Sequence, residues 1–268
     1  MGCAPTLRSA VVACAVLGVA LAASPAVAER DRARPLVVVD PGHGGTNVGA
    51  RGVLGLAYEK QVTLALARKL ERELEARGAQ VALTRDDDRY VSLRRRAALA
   101  SDLDADAFVS LHANASGAGD RRGYETFILS PEAVEVDAPA TRGLGQGRRS
   151  EGAHDVVGAL VSDVERGAAV PRAAALAGAI QDELRELRGA EGDRGVRQAP
   201  FGVLMGAPMP AVLVEVGFLD HPIEGLELLR RDTQRALAAA IAEAVAGPRG
   251  VDSAPPPRRT IAGHTDPG

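Results

Sequence analysis

Residues 36–52 read LVVVDPGHGGTNVGARG, and the order of residue types in that stretch decides the fold. Leu36 to Val39 is an unbroken apolar run, the mark of a strand buried on both faces in a parallel or mixed sheet. The Gly-rich segment after it must be a loop. Residues 60–77 then read as an amphipathic helix, with Val62, Leu66, Leu70 and Leu74 recurring every four positions and Gly78 as its stop. Strand, loop and helix in that order are one α/β unit. The alternation continues outward, with further strands predicted at 81–83, 108–111, 124–129, 203–205 and 211–216. Helices are predicted at 92–100, 171–188 and 224–245, the last broken near Asp232. In the 92–100 helix, Leu93, Ala97 and Ala100 can face the core, and Arg94, Arg95 and Arg96 form a solvent-facing side. In the 171–188 helix, Leu176, Ile180, Leu184 and Leu187 keep helical spacing. The pattern predicts a single α/β domain over residues 36–246, a sheet with flanking helices.

The ends of the chain read differently. Residues 1–28 have the form of a signal peptide: Arg8, an apolar stretch from Ala10 to Ala23, and Ala26-Val27-Ala28 before Glu29. That stretch is short of the ~20 apolar residues needed to span a bilayer. Residues 29–35 are a short leader. Both cysteines, Cys3 and Cys14, fall inside the signal segment, so the mature chain is expected to have no disulfide, thiolate ligand or cysteine nucleophile. Export is expected, to the periplasm or the cell wall, with no stable membrane insertion after cleavage. Residues 131–170 hold Pro, Gly and charges with little periodicity, apart from a short helix at 154–165, and read as an irregular insertion. Residues 247–268 are polar and Pro-rich and read as a disordered tail. The composition is 46% hydrophobic and 25% charged, ordinary for a globular protein, and the formal net charge of -3 gives no sign of a nucleic-acid partner.

Four scattered residues carry chemistry: His43, Glu59, His112 and Glu215. Each stands at the end of a predicted strand or in the loop beyond, where sites collect in α/β sheets. Two histidines and a carboxylate can hold a zinc ion with a fourth position open, and a second carboxylate can shuttle protons. Taken alone, His43 also fits a loop histidine bonded to Asp40, His112 a strand-end histidine satisfied by backbone, and Glu59 a first-turn helix acid. Glu215 lies between Val214 and Val216 in an apolar strand, where an unpaired charge is costly, and this favours function. Asn114, two residues beyond His112, shares its side of the strand. His154, His221 and His264 fall in irregular segments, and no HExxH, GxSxG or P-loop pattern is present.

The motifs VVVDPGHGG, LAYEKQVTLALARKL, LTRDDDRYVSLRRRAALA, FVSLHANAS, GYETFIL and RQAPFGVLMGAPMPAVLVEVGFL occur in one order. Over residues 36–245, outside the insertion, the chain resembles the zinc-dependent N-acetylmuramoyl-L-alanine amidases, the family that includes periplasmic cell-division amidases. The resemblance implies a mixed, mostly parallel β-sheet with helices on both faces. It implies His43, Glu59 and His112 as ligands of one zinc ion and Glu215 as catalytic acid/base. It implies peptidoglycan as substrate, cut between N-acetylmuramic acid and L-alanine. Asn114 is expected on the substrate side. The protein is expected to be a monomer, and a protein activator is a further expected kind of partner, since the insertion falls where some cell-division members carry a blocking helix. Many relatives continue GFLSN where this chain has GFLDH at Gly217 to His221. Two other readings are a zinc peptidase cutting the stem peptide and a silent peptidoglycan-binding module.

Overall fold

The computed structural model describes residues 34–130 and 154–251. The expected signal peptide, most of the expected leader, residues 131–153 of the expected insertion and residues 252–268 of the expected tail lie outside the described residues. Six strands form one sheet: β1 (Leu36–Pro41), β2 (Gln80–Leu83), β3 (Ala107–Asn114), β4 (Tyr124–Leu129), β5 (Asp193–Ala199) and β6 (Ala211–Phe218). Their order is β2-β1-β3-β6-β4-β5. Every neighbouring pair is parallel except β4 with β6, so the sheet is mixed and mostly parallel, as expected. The helices are α1 (Glu59–Ala76), α2 (Leu93–Asp102), α3 (His154–Arg188), α4 (Glu224–Leu229) and α5 (Arg231–Ala246). No helix among the described residues is long and apolar enough to cross a membrane.

Strand alternation sends neighbouring residues to opposite faces and so builds two unequal cores. Val37 and Val39, Val109 and Leu111, and Val212 and Val214 pack with α1, α3 and α5 in the larger core. From α1 that core takes Val62, Leu66, Leu70 and Leu74, the residues whose spacing predicted the helix; burying each contributes ~1.5–3 kcal/mol. The helix stops as expected at Gly78, whose φ is 90°, with Ala79 N donating to Leu74 O at 3.1 Å. The other face carries a smaller core of Val38, Phe108, Ala211 and Leu213 under Ala100 of α2 and the segment holding Val203, Leu204 and Met209. Helices therefore lie on both faces, but among the described residues the second face has only the short α2. Above its small core, towards the carboxyl ends of β1, β3 and β6, the same face turns polar: Asp40, Ser110, His112, Asn114, Glu125 and Glu215 all lie on it.

Several expectations need correction. Residues 203–205 are not a strand but a turn segment, apolar because Val203 and Leu204 cover the second sheet face. The strand before it, β5, has the polar sequence DRGVRQA and gave no alternating signal, because it pairs only with β4 at the sheet edge. The helices expected at 154–165 and 171–188 are one helix, α3, which continues through Pro171. Leu187 is 43% and Leu93 54% exposed, so neither is core. Arg96 is not solvent-facing: it is buried, drawn in by Asp40. The break expected near Asp232 falls at Arg230, between α4 and α5. At the start of the expected tail, Val251 is buried and its N–H donates to Val245 O.

Candidate metal centre

β1 ends in Pro41, and the chain turns through Gly42 into His43, whose φ of 62° is left-handed. From the other end of this loop, Glu59 opens α1 with its side chain buried. His112 lies near the end of β3, the strand beside β1. These three meet. His43 Nε2 lies 2.9 Å from Glu59 Oε2, and His112 Nδ1 lies 2.8 Å from Glu59 Oε1. The two imidazoles stand edge to face with centroids 5.0 Å apart. One ligand atom from each of the three residues falls within 4.8 Å of the others, so the group could hold a metal ion. Neither bland reading of the two histidines survives: His43 does not bond Asp40, and His112 bonds a carboxylate.

The backbone fixes Glu59 from both sides. Ala50 N donates to Oε2 at 2.9 Å, and Ala113 N donates to Oε1 at 3.1 Å. Burial pushes the Glu59 carboxyl up, but hydrogen bonds from His112 and His43, with their charge, more than reverse this and hold it well below the usual carboxylate range. His112 is the counterpart: burial works against its charged form, and the Glu59 hydrogen bond and the Glu215 and Glu59 charges raise its pKa. On His43, Nδ1 lies 2.9 Å from Asn47 Oδ1; an N–H there leaves Nε2 as the ligand atom. Asn47 was not read from sequence, since an irregular loop offers no periodicity to flag it.

Gly42 is needed for room. A Cβ there would stand 2.5 Å from His112 Cε1 and 2.6 Å from Nε2. Gly42→Ala is expected to displace the imidazole and weaken metal binding ~10–100-fold, the cost of disturbing an outer-shell support; equal affinities by chelator competition would refute this.

Glu215 is the register partner of His112 on the adjacent parallel strand, which places the two side by side on one face. Its Oε2 is wholly enclosed and is the one buried side-chain polar atom among the described residues without a hydrogen-bond partner. Burial pushes its carboxyl up to about 7; Glu59 and Glu125 add to this and His112 opposes it. An unpartnered buried carboxylate oxygen with a raised pKa, beside a group that could hold a metal ion, marks a candidate functional site.

On the far side of Glu215, Glu125 of β4 is its antiparallel register partner. Glu125 is buried and paired with Arg194 at 3.3 Å and Arg197 at 2.8 Å. Sequence reading missed Glu125, although a charge in the apolar strand YETFIL is the same signal that marked Glu215. Asn114 Nδ2 donates to Glu125 Oε1 at 3.1 Å, and its Oδ1 accepts from Ala115 N at 2.8 Å. In the GFLDH segment, Asp220 accepts from Gly117 N at 2.7 Å and so pins the loop after β3. His221 Nδ1 accepts from Glu224 N at 3.1 Å and caps α4, away from the metal group. His154 begins α3, and His264 lies outside the described residues.

Known proteins are similar to this chain in sequence and fold. The family model described as N-acetylmuramoyl-L-alanine amidase matches residues 37–247. The N-acetylmuramoyl-L-alanine amidase AmiC of Neisseria meningitidis is 33% identical over 227 residues, 79% of this chain and 53% of that protein. The chain thus spans about half the length of that relative. AmiC2 of Nostoc punctiforme, a solved amidase structure, is 30% identical, with a TM-score of 0.59 over 78% of this chain and 94% of that one. An amidase structure from Clostridium difficile 630 gives 30% identity and a TM-score of 0.60 over 80% of this chain and 95% of that one. With the family match running from β1 to the end of α5, the chain belongs to the N-acetylmuramoyl-L-alanine amidase family.

Proposed function

We propose that this chain is a zinc-dependent peptidoglycan hydrolase that cleaves the amide between the lactyl group of N-acetylmuramic acid and the L-alanine of the stem peptide. The observation that carries this reading is the group of His43, Glu59 and His112 beside the unpartnered Oε2 of Glu215. Two imidazoles and a carboxylate suit one zinc ion and leave a position open. Bound there, zinc supplies Lewis acidity, lowering the pKa of water to ~7 and polarising the scissile carbonyl. Glu215 takes the proton of the attacking water and hands it to the leaving nitrogen, a step amide cleavage requires because an amide anion leaves poorly. Asn47 orients the His43 imidazole through Nδ1. Asn114 offers the substrate the amide hydrogen that its bond to Glu125 leaves over. The protein acts outside the cytoplasm, in the periplasm or cell wall, as a monomer on peptidoglycan.

The test is digestion of purified sacculi with mass spectrometry of the products, with and without a chelator. Free stem peptides beginning with L-alanine are expected, lost on chelation and restored by zinc. Shortened peptides still attached to muramic acid would instead mean a peptidase. Metal-loaded protein that binds sacculi and releases nothing would mean a silent module, unless an added activator protein or removal of residues 140–166 restores cleavage.

A further inference from the structure

Two buried arginines lie behind the metal group, and no step above uses them. Arg85 is fully buried, and its hydrogen bonds go to oxygens of the chain: Nε to Pro41 O at 3.0 Å, Nη1 to Asp87 O at 3.0 Å, and Nη2 to Gly42 O at 2.8 Å and Lys60 O at 2.9 Å. Arg96, 2% exposed, sends Nη1 to Asp40 Oδ1 at 2.6 Å and to Pro41 O at 2.7 Å. Its Nη2 reaches His43 O at 2.6 Å, and its Nε reaches Val91 O at 3.0 Å. Asp40 is itself held by Ser110 Oγ at 2.7 Å and by Thr84 Oγ1. The carbonyls of Pro41, Gly42 and His43, consecutive in the chain, are thus each gripped by a guanidinium.

Packing alone does not explain this. Burying a charged group is costly, and apolar side chains of similar volume often fill such space at no loss of stability. What the guanidiniums supply is direction. His43 is a non-glycine residue in the left-handed region, a conformation that persists only where its surroundings over-determine it. Rotation of either peptide flanking His43 would swing the imidazole away from Glu59. We infer that Arg85 and Arg96 are positioning residues, a clamp on the carbonyls of Pro41, Gly42 and His43 that presets the His43 imidazole for metal. The consequence for zinc rests on the function proposed above; the clamp itself rests on the hydrogen bonds.

A lysine is a point charge without a fork, and cannot reach Asp40, Pro41, His43 and Val91 together. In the full-length chain, Arg96→Lys and Arg85→Lys are each expected to weaken zinc binding ~10–100-fold by chelator competition, the range for outer-shell supports. Arg95→Lys, exposed on the same helix, is expected to change nothing. Thr63 Oγ1 also donates to Gly42 O, at 2.9 Å, so Thr63→Val is a milder probe with about a fivefold loss, usable if the arginine variants do not fold. The readout that a general weakening of the fold would not move is the cycle with His43→Ala: in that background the Arg96→Lys loss is expected to vanish. A folded Arg96→Lys with wild-type zinc affinity, or a loss that persists without His43, would overturn the clamp. If the wild-type chain binds no zinc, the metal reading fails separately. The clamp is then judged by exchange at the Gly44 amide, which donates to Asn47 O at 2.8 Å: acceleration in Arg96→Lys supports it and an unchanged rate refutes it.

Discussion

Glu215→Gln is expected to slow amide cleavage by ~10²–10⁴-fold while zinc affinity stays close to that of the wild type, because the change removes the proton carrier and leaves the three ligands in place. The same substitution is expected to stabilise the metal-free protein. The carboxyl stands at about 7 in the fold against 4.5 for the free group, so its ionisation opposes folding. Below pH 4.5 the group is protonated in both states and contributes no penalty. As pH rises through about 7 the fold must carry a buried anion, and the full penalty is present above that. At ~1.4 kcal/mol per pH unit of separation, glutamine should gain about 3 kcal/mol at pH 8 and almost nothing at pH 4. Denaturant unfolding of both proteins at the two pH values, with chelator present, checks this. A gain that does not depend on pH would show that the carboxyl is not held neutral by burial.

Glu59→Ala is expected to act in the opposite sense, harming both affinity and stability. It removes one of the three proposed ligands, and the loss of zinc affinity should exceed the ~100-fold that an outer-shell partner is worth. It also strips the partner from Ala50 N and Ala113 N. An orphaned buried donor costs ~1–3 kcal/mol, and of the two only Ala113 N is buried while Ala50 N is part-buried, so the metal-free protein should lose about 1–4 kcal/mol at neutral pH. Because the folded carboxyl is held below its ordinary range, its favourable contribution is present above pH ~4.5 and is lost as pH falls through the folded value. The gap between wild type and variant should therefore narrow in acid. Calorimetric titration with zinc at pH 7, and unfolding at pH 7 and in a series of steps down to pH ~2, test both halves. A variant of equal metal-free stability would mean that Glu59 is not the brace of the β1–α1 loop.

The residues that were legible from sequence are those whose burial follows a simple period. Val37 and Val39, the leucines of α1 and the AVLVEV run from Ala211 to Val216 all announced their element, because each faces an apolar neighbour at fixed spacing. The candidate site residues were legible for different reasons: Glu215 interrupts that period between two valines, His43 stands among glycines, His112 ends an apolar strand, and Glu59 gained its role only from the family resemblance. What stayed hidden depends on partners far away in the chain. Arg96 shares a helix stripe with Ala100, yet its burial is decided by Asp40, 56 residues earlier. β5 is polar because its outer edge faces solvent, so alternation could not reveal it. Val203 and Leu204 mimicked a strand because a coil that covers a sheet needs the same side chains.

The last strand to be made, β6, lies between β3 and β4 in the middle of the sheet. Until it is in place, β2-β1-β3 and β4-β5 share no strand pairing, and the small core lacks Ala211 and Leu213. The three would-be ligands come from residues 43 to 112, all on the early half, whereas Glu215 arrives only with the closing strand. The candidate ligands and the candidate acid/base are thus brought together only by the pairing of β6 with β3. On the function proposed above, a molecule ending before residue 211 would lack both Glu215 and the strand that seats it, and would be expected to release nothing from sacculi; the pairing that completes the site is long-range, the slow kind of contact to form.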